Sequence, residues 1–226
     1  YFLFLADFFQ IREINTAGLQ KILPSSLKLS VQERTGNKIL FFPSRSIFLV
    51  NIGEIERDIL GEFPSLVGID ISRDFPDSLN ARVVEREGLA SFCLMEDCFI
   101  VDKEGIAFEA GNYLSPIIKT SILTGEVKLG DKVIDQEELK QLLEINFYLE
   151  RDLNIALREI LISPSNNLTA LTQEGWEIYL NLGEETKWQL TKLKLLLGEK
   201  IPPEKRGELE WIELRFGNFA NPKYKD

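Results

Sequence analysis

The spacing of apolar and polar positions changes character near residue 88. Before that point, helical spacings and alternating stretches follow one another. Residues 8–14 read as an extended strand that ends near Gly18. Residues 25–34 read as a short helix with Leu27, Leu29 and Val31 as its apolar contacts, stopped by Thr35-Gly36-Asn37. Residues 39–43, Ile-Leu-Phe-Phe-Pro, form an apolar connection expected to be buried. Asn51 is placed to cap a second helix running to about Leu60, with Ile52, Ile55, Ile59 and Leu60 as its stripe. Gly61 and Pro64 end it, and residues 66–73 form the next strand. Pro76 stiffens the corner that follows, because it fixes its own φ and pushes Phe75 toward an extended conformation. Leu79, Ala81 and Val83 then alternate in a last strand of this half.

Beyond residue 90 strands dominate. Residues 91–94 and 99–108 read as strand, turn and strand, with Gly105 serving a turn in which Asp102 is a turn residue rather than a catalytic acid. Residues 113–132 hold Pro116, Gly125 and Gly130 and read as a loop with short strand pieces. Asp135 starts an amphipathic helix with Leu139, Leu142, Leu143, Phe147 and Leu153 along one side. Strands follow at 161–163, 168–171 and 176–183. A helix over 185–197 carries Leu190, Leu193, Leu196 and Leu197, with Gly198 as its stop. Residues 210–219 form a closing strand, with Ile212, Leu214 and Phe216 facing one way and Trp211, Glu213 and Arg215 the other. The fold class is α+β: a small βααββ domain, then a larger and mostly antiparallel β domain with flanking helices.

Composition removes several functions. The chain of 226 residues carries a formal charge of −10, which argues against a nucleic-acid surface. It has no histidine, so imidazole acid–base chemistry, Ser-His or Cys-His pairs and His-based metal sites are excluded. Neither a GxxxxGK[ST] nor a GxGxxG loop is present, so nucleotide binding has no support; no cofactor and no small-molecule substrate are expected. Carboxylates are abundant, which makes a paired-acid hydrolase the enzyme alternative. However, Glu54-Glu56-Asp58, Glu137-Glu138 and Glu184-Glu185 look like solvated helix faces and helix starts, and no catalytic residue is assigned. Cys93 and Cys98 are the only cysteines. Leu-Met-Glu-Asp between them suits a hairpin loop that sets them opposite each other, as a disulfide or as two reduced buried thiols; a metal site is a poorer match. Residues 1–9, Tyr-Phe-Leu-Phe-Leu-Ala-Asp-Phe-Phe, are too short to span a bilayer. They fit either an ordinary first strand or the outer end of a transmembrane helix rich in interfacial aromatics.

Several motifs occur together in a telling order. Gly36-Asn37-Lys38-Ile39-Leu40 lies between the two helices, and Phe63-Pro64-Ser65-Leu66 follows the second. Phe75-Pro76-Asp77-Ser78-Leu79 then leads into Val84-Glu85-Arg86. Ile100-Val101-Asp102 with Gly105 opens the second half, and Trp211-Ile212-Glu213-Leu214-Arg215-Phe216 closes it after a Lys/Leu-rich helix. This arrangement resembles the extracytoplasmic part of the FtsQ/DivIB family of bacterial division proteins, whose usual acid in the closing motif is Asp where this chain has Glu213.

The resemblance implies residues 1–7 as the end of a transmembrane or juxtamembrane segment, a POTRA domain over 8–88 and a β domain over 89–226. It implies a single-pass protein of the bacterial cytoplasmic membrane, with this region outside the cytoplasm and its membrane helix missing or truncated here. It further implies a non-enzymatic scaffold that recruits the membrane-anchored coiled-coil partners FtsB and FtsL by adding a strand at its C-terminal strand. By motif, that surface falls on Phe216, Gly217, Asn218, Phe219 and Ala220, with Tyr224 as a further anchor. Pro222 departs from the pattern: it cannot donate to a ladder, so pairing is expected to stop near Asn221. The alternative is a POTRA-bearing component of a secretion or outer-membrane assembly machine, although neither tandem repeats nor a run of ten-residue alternating strands follows residue 90.

Overall fold

The computed structural model describes residues 6–39, 42–120, 126–164, 166–183 and 185–225, with side chains from 37 to 43 left aside. It is α+β and divides into two compact units, Tyr1–Arg86 and Glu87–Asp226, each with its own apolar core.

The first unit contains β1 (Glu13–Ala17), α1 (Pro24–Arg34), β2 (Asn37–Ile39), β3 (Phe42–Ser44), α2 (Ile52–Glu62), β4 (Leu66–Asp74) and β5 (Ser78–Glu85). Its three-stranded sheet has the order β1-β5-β4, with β1 parallel and β4 antiparallel to the central β5. Strand β5 is buried at every second residue, Leu79, Ala81 and Val83, as its alternation predicts. Leu27 and Val31 of α1, four residues apart, face the core, whereas Leu29 is exposed; helical spacing excludes the i+2 position from the same face. Asn51 caps α2: its side chain accepts from the Glu54 N–H at 3.4 Å, and its amide donates back to Glu54 Oε2 at 3.1 Å. Arg34 of α1 reaches α2 through Glu62 at 2.7 Å, tying the two helices together.

Two local expectations change here. Phe8 and Phe9 belong to a 3-10 turn (Asp7–Phe9), and the strand starts only at Glu13. The connection between the helices contains a two-stranded hairpin, β2 with β3, around Leu40 and Phe41, which lie outside the described residues. At the exit of β1, the Glu85 carboxylate accepts the N–H groups of Gln20, Lys21 and Ile22 at 2.8 to 3.1 Å. Burial alone would raise its pKa; the three backbone donors outweigh burial and hold it below the usual carboxylate value.

The second unit contains β6 (Ala90–Leu94), β7 (Asp97–Val101), β8 (Ala107–Ala110), β9 (Ile117–Thr120), α3 (Gln136–Leu153), β10 (Leu157–Ser163), β11 (Asn167–Thr172), β12 (Glu177–Asn181), α4 (Thr186–Glu199), β13 (Leu209–Glu213) and β14 (Asn221–Tyr224). One nine-stranded sheet runs β14-β13-β12-β11-β10-β9-β6-β7-β8. Three of its pairings are parallel: β6 with β9, β9 with β10, and β12 with β13. The last two enclose the amphipathic helices α3 and α4, because strands that run the same way need a long crossover and a helix supplies it. The sheet is therefore more mixed than the strand pattern alone suggests. Trp176, Ile178, Ile212 and Leu214 lie in the core with Leu139, Leu142, Ile145 and Leu149 of α3 and with Leu193 and Leu197 of α4.

Asp102 is a buried turn residue, and its Oδ1 accepts from the N–H groups of Glu104 and Ile106. Cys93 and Cys98 face each other across β6 and β7 with Cα atoms 4.0 Å apart and are joined as a disulfide. That separation suits the narrow, non-hydrogen-bonded type of antiparallel pair. Alkylation of the denatured chain with and without reductant is expected to differ by two alkyl groups in intact mass; equal masses would show that the bond does not form. Among the described residues no helix is long and apolar enough to cross a membrane.

Candidate functional site at the C-terminal sheet edge

The closing segment differs from a single strand over 210–219. Strand β13 stops at Glu213; the chain then turns through residues 214–220 and returns antiparallel as β14. Phe216, expected to share a face with Ile212 and Leu214, is instead 67% exposed, and Phe219 is 77% exposed.

Two causes are visible. Gly217 has φ +61°, in the left-handed region that glycine enters without penalty. Lys192 of α4, itself buried, extends its ammonium to the carbonyls of Leu214 at 2.5 Å and Gly217 at 3.0 Å, and so fixes the turn from inside. Burial lowers its pKa and the nearby Glu213 carboxylate opposes that shift. One turn earlier on the same helix, Gln189 accepts the Asn181 N–H at 2.9 Å and donates to the Asn181 carbonyl at 2.8 Å, which clamps α4 to the end of β12. Neither residue was singled out by the sequence reading. Their signal is a Gln and a Lys placed among Leu190, Leu193, Leu196 and Leu197, where a helix facing a core would carry apolar side chains.

Pro222 lies within β14, paired with Ile212, so pairing inside the chain's own sheet continues past Asn221. Hydrogen-bond direction explains why. The Leu214 N–H donates to the Tyr179 carbonyl of β12, so by alternation the backbones of Trp211 and Glu213 face β14. On the opposing strand, Asn221 and Lys223 face inward, in phase with the Lys225 N–H that donates to Glu208. Pro222 and Tyr224 therefore direct their backbones to the open side, where the proline ring costs the ladder nothing. The edge offers the Pro222 carbonyl and both backbone groups of Tyr224.

The solvent face of the same strands is ordered by charge and aromatic contacts. Arg215 meets Glu213 through two nitrogens, at 2.8 and 2.6 Å, and its guanidinium lies 5.1 Å from the Tyr179 ring centre and 5.3 Å from that of Phe216. Burial would raise the Glu213 pKa, but the Arg215 hydrogen bonds prevail and lower it. Burial and then its hydrogen bond to Glu177 push the Tyr179 hydroxyl up to about 12. The structure thus brings Phe216, Gly217, Asn218, Phe219 and Ala220 together in one turn beside the strand that carries Tyr224. The disulfide of Cys93 and Cys98 belongs to the β6–β7 hairpin rather than to this edge.

At the far end of the sheet, β8 is covered in part: the Ala107 N–H donates to Asp131 and the Gly130 N–H to Ala107. Elsewhere, a cavity of about 290 Å³ is lined by Phe92, Thr120, Lys132, Asp135, Glu138 and Ile162 among others. Burial first, and Asp135 second, raise the Glu138 pKa there. Asp135 is already paired with Lys132 at 2.8 Å, so the cavity presents one half-buried acid and one salt-bridged acid. Among the described residues no three His, Cys, Asp or Glu side chains are grouped to hold a metal ion. No protein-family model matches the chain, and no curated protein matches it.

Proposed function

We propose that the chain is a non-enzymatic scaffold of the bacterial division machinery, of the FtsQ/DivIB type, and that it recruits membrane-anchored coiled-coil partners resembling FtsB and FtsL. The observation that carries this reading is that β14 is the outermost strand of the large sheet, with its outward backbone groups facing no further strand among the described residues. Strand addition there would draw affinity from backbone hydrogen bonds to Tyr224 and the Pro222 carbonyl, and specificity from the exposed rings of Phe216, Phe219 and Tyr224. Pro222 limits the ladder, so the turn aromatics carry more of the recognition than a long strand pair would require. In this reading the first unit is a POTRA domain that positions the second, and the chain is held at the cytoplasmic membrane with both units outside the cytoplasm. The order β1, α1, the β2–β3 hairpin, α2, β4, β5 and the parallel β1–β5 pair support the POTRA reading of the first unit.

The test is binding of the purified chain to the extracytoplasmic segments of the FtsB/FtsL-like pair from the same organism. The parent is expected to bind with Kd below about 10 μM. Tyr224→Pro, which removes the single outward N–H, and Phe219→Ala, which removes the most exposed ring of the turn, are each expected to weaken binding at least tenfold without changing the circular dichroism spectrum. Full binding by both variants would move the site off this edge, and no binding by the parent would overturn the scaffold reading.

A further inference from the structure

Four phenylalanines from three separate segments form one aromatic strip on the first unit. Phe8 and Phe9 come from the 3-10 turn, Phe48 from the segment between β3 and α2, and Phe75 from the corner between β4 and β5. Successive ring centres lie 5.0 Å (Phe8–Phe9), 5.2 Å (Phe9–Phe48) and 5.4 Å (Phe48–Phe75) apart. The strip is not inward packing that happens to show an edge: Phe8 is 61%, Phe75 57% and Phe48 40% exposed. It is also held in place. The Ile47 N–H donates to the Phe9 carbonyl at 3.0 Å, and Arg73 donates from Nε to the Ile47 carbonyl and from Nη2 to the Val50 carbonyl, both at 2.7 Å. Contiguous, preformed apolar surface of this kind marks a contact site.

The chain just before the strip indicates the occupant. Tyr1-Phe2-Leu3-Phe4-Leu5-Ala6 is uncharged and rich in aromatics, and it runs directly into the turn that carries Phe8 and Phe9. Aromatic side chains favour the boundary between lipid headgroups and acyl chains. One exposed cation lies beside the strip, Arg12, whose Nη2 donates to the Asp7 carbonyl at 3.1 Å, while Asp7, Asp74 and Asp77 lie on the same segments as Phe8 and Phe75. We propose that this strip is a lipid-contact surface, with Phe8, Phe48 and Phe75 entering the interfacial layer of a bilayer and setting the first unit against it. The inference concerns a different unit from the recruiting edge and stands or falls separately from it.

Co-sedimentation of the whole chain with vesicles of phosphatidylethanolamine and phosphatidylglycerol tests it. The triple variant Phe8→Ser, Phe48→Ser, Phe75→Ser keeps the apolar residues 1–5, so any difference from the parent reports the strip alone. The parent is expected to partition onto the vesicles and the variant to partition at least tenfold less. Equal partitioning, no partitioning by the parent, or concentration-dependent dimerisation of the parent that the triple variant abolishes without lipid would each overturn the proposal; the last would assign the strip to a second copy. A Phe75→Trp variant gives an independent reading if the triple variant loses its fold. The native tryptophans, at 176, 188 and 211, all lie in the second unit. The new emission is expected to shift to the blue on adding vesicles, and an unshifted spectrum would sink the proposal.

Discussion

Replacing Lys192 by methionine is expected to destabilise the second unit by about 3 kcal/mol. The substitution keeps the long apolar stem, so little packing volume is lost. It removes the only charged donor shown reaching the Leu214 and Gly217 carbonyls, and the turn behind the closing strand then lacks its inner anchor. A hydrogen bond from a charged group is worth about 1.5–3 kcal/mol, and two are lost at a buried site. All three tryptophans lie in this unit, so their fluorescence follows its unfolding. The urea midpoint is expected to fall by roughly 1.5 M for an unfolding slope of about 2 kcal/mol/M. On the proposed scaffold reading, the same variant should bind the FtsB/FtsL-like segments more weakly, because Phe216 and Phe219 are presented by that turn. A midpoint equal to the parent's would show that the turn closes without Lys192.

The proposed recruiting edge depends on backbone direction more than on composition, and this governs how much of it was legible beforehand. The apolar alternation of Ile212 and Leu214 predicted a strand with a core face, and both are buried. Phe216 continued the pattern in sequence but not in space, because alternation carries no information about a buried ammonium on another element, 22 and 25 residues earlier in the chain, that captures two carbonyls. The place of Pro222 within the chain's own ladder was hidden for a related reason. A proline forbids pairing only on the side to which its nitrogen points, and that side is set by the register with β13, a long-range property.

Elsewhere local rules were sufficient. Asn51 capped α2 as its position before an apolar stripe implied, since a cap needs only residues within one turn. Asp102 closed its own turn for the same reason. The parallel pairings of β9 with β10 and of β12 with β13 were not legible, although the helices that make them possible were. A helix between two strands is compatible with either direction until the strands find neighbours. The aromatic strip follows the same logic: Phe8, Phe48 and Phe75 are distant in sequence and have no shared periodicity, so only the fold brings them together.

Replacing Gly18 by alanine is expected to have the larger effect, about 4 kcal/mol, confined to the first unit. Gly18 leaves β1 with φ +86°, and a Cβ there would lie 2.1 Å from the Val83 carbonyl oxygen. That oxygen belongs to β5, which is held between β1 and β4 and cannot withdraw without breaking one of its two ladders. The left-handed conformation costs a non-glycine residue about 1–3 kcal/mol, and the overlap adds a similar amount. The loop beyond Gly18 gives no relief, because Glu85 at the end of β5 fixes Gln20, Lys21 and Ile22 by their backbone N–H groups. Movement of the loop therefore pulls on the strand it must avoid. Amide exchange separates this outcome from general damage: protection of residues 79–84 is expected to fall by about three orders of magnitude, as 1.4 kcal/mol is tenfold. Tryptophan fluorescence, which reports only the second unit, should show its urea transition unmoved. Preserved protection of β5 would mean that the strand exit can open without cost, and the tight crossing of Gly18 over Val83 would then not be what holds the sheet of the first unit together.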